Sequence, residues 1–171
     1  VKILGGALCD SAVVGGVVLN KLPESTQQHQ NTQCRIAIYS CPVDVNNTET
    51  KGTVLFNNAA DMLAYSEGEE SLIRAKITEL HQSNVKVVVT NEKYGDLAMH
   101  YINQLGMIAV RVPSKFDVQR ISKACQAPVL VKFDTTLDEG TTGQCSSVAI
   151  VEFGSDKCLV IGGHSNNSGI A

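Results

Sequence analysis

No stretch of this sequence reaches the roughly 18 consecutive apolar residues that a membrane helix needs, so no membrane span is expected. Positive charge is not in surplus either. The net charge is −3 at neutral pH, and without a basic patch nucleic acid is not an expected partner. The first residue is Val1 rather than Met, and no basic-then-apolar leader follows it. No signal peptide is therefore expected, and the sequence reads as a piece cut from a longer chain. None of the 6 cysteines forms a C-x-x-C pair, and the 4 histidines are scattered. That spacing offers no ligand set for zinc, so no metal site is expected. Several cysteines fall inside apparent strands or helices, which points to free thiols in a reducing, cytoplasmic compartment. Two sequons, Asn46-Asn47-Thr48 and Asn166-Asn167-Ser168, would matter only in a secreted chain.

The short motifs of catalysis are missing too. There is no G-x-x-x-x-G-K-[ST] loop, no G-x-G-x-x-G and no G-x-S-x-G elbow. Asp138-Glu139-Gly140-Thr141-Thr142 looks like a phosphate cradle. Such a cradle works by opening a helix, whose N-terminal N–H groups hold the anion. Here a strand pattern follows, so the segment reads as a surface loop. No catalytic residue and no cofactor-binding residue is assigned.

What is present is a chain of 171 residues, 43% apolar and 18% charged, enough for one domain with a real core. Val85–Thr90 is a β-branched run broken only by Lys86 and reads as a mostly buried strand. A helix over Tyr94–Leu105 follows and stops at Gly106. At about 100° per residue, Leu97, Ala98, Tyr101, Ile102 and Leu105 share one face, which should pack on a sheet. Asp96, Met99, His100 and Asn103 fall opposite. On pattern alone that second stripe is a solvated face or a binding face.

Other strands are expected at Val13–Asn20, Arg35–Ser40, Met107–Val112 and Val129–Phe133, with a hairpin of Ser147–Phe153 and Lys157–Gly162. A long helix should start at Asn58 and run to about Ser83, with Gly68 marking a kink or a break. A second should fill Ser114–Gln126, capped by Ser114 with Asp117. Leu22–Gln33 reads as a mobile polar loop, Cys41–Lys51 as an exposed loop and Asp134–Gly143 as another polar loop. Strand–helix–strand order in the middle of the chain predicts parallel pairing, an α/β layer, with a second sheet from the flanking strands.

These pieces together resemble the apical domain of group II chaperonins. The likeness is carried by Asp10-Ser11 with Gly16-Val17-Val18, by Arg35-Ile36-Ala37-Ile38 leading into Cys41-Pro42, and by Thr48-Glu49-Thr50. Glu69-Glu70, Asn84–Val89, Asp96-Leu97-Ala98 with His100-Tyr101, Ile108–Arg111 and Ser114–Cys125 extend it over essentially the whole chain. It departs at Gln27–Gln33 and Thr135–Gly143, both loops.

The resemblance implies an α/β domain, a GroEL-apical-domain-like β-sandwich with flanking helices. It also implies a helical protrusion over about residues 52–75 that serves as a built-in lid and carries Met62, Leu63 and Tyr65. It implies one domain over 1–171, with the equatorial and intermediate domains of the parent chain outside it. ATP and magnesium would belong to that parent chain and not to this part. Gly5-Gly6 and Gly15-Gly16 would lie on the hinge side. Carried over by position, the contacts to client polypeptide would be Asp96, Met99, His100, Asn103 and Gln104 on the helix. Val43, Asp44, Val45, Asn46 and Asn47 of the preceding loop would join them. The implied partners are unfolded polypeptides and the other subunits of a hetero-oligomeric ring. Two rival readings stay open: a small α/β domain binding a nucleotide or sugar phosphate, and a ring-assembly domain that touches no client.

Overall fold

The computed structural model describes Cys9, Ser11, residues 13–27, 33–44, 59–133, Asp138, 140–153 and 156–163, with the backbone alone at 59–67 and at Phe153. The elements in chain order are β1 (Gly16–Leu19), β2 (Cys34–Tyr39), α1 (Ala59–Gln82), β3 (Val85–Thr90), α2 (Asp96–Gln104) and β4 (Ile108–Arg111). Then come α3 (Lys115–Cys125), β5 (Val129–Leu130), β6 (Gly143–Cys145), β7 (Val148–Phe153) and β8 (Asp156–Gly162).

They form two sheets. One is antiparallel, in the order β1-β8-β7. The other runs β4-β3-β2-β5, all parallel, and β6 lies antiparallel beside β2. The expected parallel layer is present, and so is the β7–β8 hairpin, closed by Phe153 opposite Asp156. β2 and β3 are apolar on both sides because both sides are covered. Ile36, Ile38, Val87 and Val89 enter one cluster with α3 residues Val118, Ile121 and Ala124 and with Val17, Leu159 and Ile161 of the antiparallel sheet. Ala37, Tyr39, Val85 and Val88 enter the other, under Ile73, Ile77 and Leu80 of α1 and Ala98 and Ile102 of α2. Helices α1 and α2 thus lie on one side of the parallel sheet, with α3 and the second sheet on the other.

Several boundaries differ from the sequence-based expectation for physical reasons. α1 is one helix of 24 residues, unbroken at Gly68. A Cβ at Gly68 would meet nothing within 4 Å, so the glycine serves neither a turn nor a close approach. Gly68→Ala is therefore expected to stabilise the protein by about 1 kcal/mol, read as a melting temperature raised by a few degrees. An unchanged or lower value would mean that this helix bends at Gly68 in solution. Asn58, its expected cap, lies outside the described residues.

β5 keeps only Val129–Leu130, because β2 offers it only Ile38 and Tyr39. β6 occupies the rest of that edge, pairing with Cys34, Arg35 and Ile36. The segment 22–27 of the expected mobile loop is tied down. The Glu24 N–H donates to the Ala109 carbonyl at 2.9 Å, and the Ala109 N–H donates to Ser25 Oγ at 3.0 Å. The outer edge of β4 would otherwise present unpaired backbone groups, and this loop covers it.

Candidate functional site

The α2 helix is held at both ends by its own backbone and by buried polar side chains. At the entry, Thr90 Oγ1 donates to the Cys41 carbonyl at 2.8 Å and accepts from the Glu92 N–H at 3.1 Å. The Tyr94 hydroxyl reaches the carbonyl oxygens of Val88 at 2.8 Å and Val110 at 3.1 Å. Burial pushes that phenol well above its ordinary value, so it stays a neutral donor. At the exit, the Met107 N–H donates to the Ile102 carbonyl and the Gly106 N–H to that of Asn103, at 3.0 and 3.1 Å. Gly106 takes φ 64°, and together these make a Schellman stop.

Burial on α2 is centred on Ala98 and Ile102. Asp96, His100 and Gln104 are exposed, as expected. Three expectations need correction. Leu97, expected to face the sheet, is 43% exposed. β4 is the end strand of its sheet, so the sheet lies under only one side of α2. Met99, expected on the outer stripe, is half-buried against the α1/α2-side cluster. Asn103 is also half-buried, and its Oδ1 accepts from the Thr26 N–H at 2.9 Å and from Thr26 Oγ1 at 3.2 Å. It docks the segment that covers β4. The exposed α2 surface is therefore the line Asp96/Leu97–His100–Gln104, flanked by Met99 and Asn103. The residue that helical phase missed is Leu97, an exposed aliphatic side chain on this line, where the pattern had placed Met99.

The loop after β2 begins beside the α2 entry. The Val43 N–H donates to the Lys93 carbonyl at 3.2 Å, and the Gly95 N–H donates to the Val43 carbonyl at 2.9 Å. Val43 is 0% exposed, which corrects its place among the expected client contacts: it anchors the loop and presents nothing. Asp44 is half-buried, and a Cβ on Gly95 would overlap its carboxylate. The glycine lets the loop root lie against the helix start. Val45, Asn46 and Asn47 lie outside the described residues, as do the side chains of Met62, Leu63 and Tyr65. The neighbouring helix is tied in by Tyr101, whose hydroxyl donates to the Glu70 carboxylate. That bond raises the Tyr101 phenol above its ordinary value.

A second place had a claim to be a ligand site. In the order β4-β3-β2-β5 the connections reverse direction between β2 and β5, and small ligands in α/β proteins bind at such a reversal, beyond the carboxyl ends of the strands. Here the Ser40 N–H and Oγ both reach the Leu130 carbonyl, at 2.8 and 3.3 Å, across that gap. The sequence between β2 and α1 carries neither a G-x-x-x-x-G-K-[ST] nor a G-x-G-x-x-G motif. The Asp138–Thr142 segment uses its hydroxyls internally. Thr141 Oγ1 accepts from the Asp138 N–H at 2.7 Å and donates to the Asp138 carbonyl at 2.9 Å. β6 follows it, not a helix. Among the described residues no group of three His, Cys, Asp or Glu could hold a metal ion, and no helix is long and apolar enough to cross a membrane.

Comparison with known proteins gives a consistent result. The chain is 40% identical over 160 residues to the probable T-complex protein 1 subunit theta of Schizosaccharomyces pombe, a match covering 94% of this chain and 29% of that one. It is 38% identical over 162 residues to T-complex protein 1 subunit theta of Saccharomyces cerevisiae, covering 94% and 28%. Against the theta subunit of Gallus gallus it is 38% identical over 169 residues, covering 98% and 30%. The chain thus spans less than a third of the length of these relatives. Its fold is similar to the open-state monomer of a group II chaperonin from Methanococcoides burtonii, with a TM-score of 0.68 at 22% identity, over 96% of this chain and 35% of that one. The profile of the TCP-1/cpn60 chaperonin family matches residues 1–170. The chain belongs to the TCP-1/cpn60 chaperonin family.

Proposed function

We propose that this chain is the substrate-binding, apical domain of an ATP-dependent cytosolic chaperonin subunit. On this reading the exposed line of α2 engages unfolded polypeptide through Asp96, His100 and Gln104, with Leu97 as the apolar contact and Met99 and Asn103 at its margin. Asp44 and the loop residues Val45, Asn46 and Asn47 join these client contacts. The segment of about residues 52–75, with Met62, Leu63 and Tyr65, forms part of a lid, and the two sheets correspond to a GroEL-like sandwich. Partners are non-native clients and the other subunits of a hetero-oligomeric ring. ATP and magnesium act in parts of the subunit beyond this chain.

The observation that carries the proposal is the exposed α2 line, Leu97 included, rising beside the anchored root of the β2–α1 loop. A rigid helix presenting mixed polar groups and one aliphatic side chain suits weak engagement of many sequences. Titrating a chemically denatured polypeptide into the protein, followed by fluorescence anisotropy, tests it. Saturable binding supports the reading, whereas its absence beside intact ring assembly would favour a purely structural domain. The chain by itself is expected to hydrolyse no ATP. The phosphate assay should read background, and turnover abolished by T141A/T142A would instead revive the nucleotide reading.

A further inference from the structure

Where β6 lies antiparallel to β2, Cys34 stands directly opposite Cys145. Their sulfurs are 3.2 Å apart, inside the apolar cluster shared by the two sheets and α3. Cys34 is 4% exposed and Cys145 0%. Cys145 Sγ also lies 3.6 Å from the Cys34 carbonyl oxygen. The third thiol of this cluster, Cys125, is buried as well. Burial pushes Cys125 up to about 12, so it stays protonated and inert.

The two facing thiols are not equivalent. The hydrogen bond shared with Cys145 holds Cys34 below the ordinary thiol value, with help from the Lys86 ammonium and against the effect of burial. The same contact pushes Cys145 up, and burial pushes it further. Of the two sulfurs in contact, Cys34 is therefore the one favoured to react first. Such an arrangement suits a nucleophile beside a resolving thiol.

We propose that Cys34 and Cys145 are a dithiol modification site, oxidised by a hydroperoxide to a reversible cross-strand disulfide. The Cys34 sulfur attacks the terminal peroxide oxygen. The O–O bond breaks, water or an alcohol leaves with a proton, and Cys34 becomes a sulfenic acid. The Cys145 sulfur then attacks the Cys34 sulfur. The S–S bond forms, hydroxide leaves and takes the Cys145 proton as water. The two sulfurs together lose two electrons, and the peroxide gains them. A dithiol reductant reverses the change. The sulfurs need only close from 3.2 Å to about 2 Å, with the strand register already in place. The bond would close a loop between positions 111 apart in sequence and fix β6 to β2. The constrained denatured chain then makes the oxidised form melt several degrees higher. This inference stands apart from client binding.

The test treats the intact native protein with near-stoichiometric hydrogen peroxide, alkylates the remaining thiols, and maps peptides by mass spectrometry without reduction. The expected result is one linked peptide pair, Cys34 to Cys145, that dithiothreitol removes. The oxidised protein should show the raised melting temperature. In Cys145→Ser, dimedone should label Cys34. Linkage of Cys34 to Cys125 instead, linkage only after denaturation, or oxidation confined to the exposed Cys9 would overturn the proposal. The wild-type map decides the matter even if the variant folds poorly.

Discussion

Ile102→Ala is expected to destabilise the protein by about 2–5 kcal/mol, the usual cost of emptying a fully buried aliphatic site. Ile102 is 0% exposed and sits in the cluster formed by α1, α2 and the parallel sheet. On this nine-residue helix only Ala98 and Ile102 are buried, so few other side chains can take over the packing. For a chain of this size the loss should appear as a fall of about 5–15 °C in melting temperature. Leu97→Ala, one position from the buried line but 43% exposed, should cost about 0.5 kcal/mol or less. Similar losses at both positions, measured by thermal unfolding, would show that α2 packs in a different rotation.

The second large effect concerns binding. Leu97→Ala, His100→Ala and Gln104→Ala combined remove the exposed contact line while keeping good helix formers in place. Client affinity should fall by about 1–3 kcal/mol, roughly 5- to 150-fold. Melting should change little, since exposed substitutions shift stability by about 0.5 kcal/mol or less each. Met99 and Asn103 are left out deliberately. Met99 packs on the core cluster, and Asn103 holds Thr26, so changing either mixes stability with binding. Unchanged affinity in the triple variant would return α2 to an ordinary solvated helix face.

The parallel layer was readable because its strands are buried on both sides. Val85–Thr90 is a β-branched run with the bounds it has in the structure. α3 was readable from its cap, where Ser114 Oγ accepts from the Asp117 N–H at 3.3 Å. The outward position of Asp96, His100 and Gln104 followed from helical phase or from family likeness. What failed depended on long-range partners. β6 has three residues, too few to show a period, and exists because β2 has a free edge at Cys34–Ile36. Val43 looked like a loop residue, and its burial comes from the bridge to Tyr94. Ser25 is buried because β4 needs a donor and an acceptor along its outer edge. Leu97 was misplaced because helical phase gives the angle of a face but not the width of the sheet beneath it.

The central claim is that non-native polypeptide docks on the exposed side of α2. The most direct measurement places a photo-activated cross-linking amino acid at His100 and, in a separate sample, at Arg120. His100 lies on the exposed face of α2, and Arg120 is exposed on α3, across the parallel sheet. Each sample is irradiated with a labelled denatured polypeptide, and the cross-linked product is quantified. The account predicts strong cross-linking from position 100 that excess unlabelled client competes away, and only background from position 120. Equal yields at the two positions, or capture from position 120 alone, would contradict it.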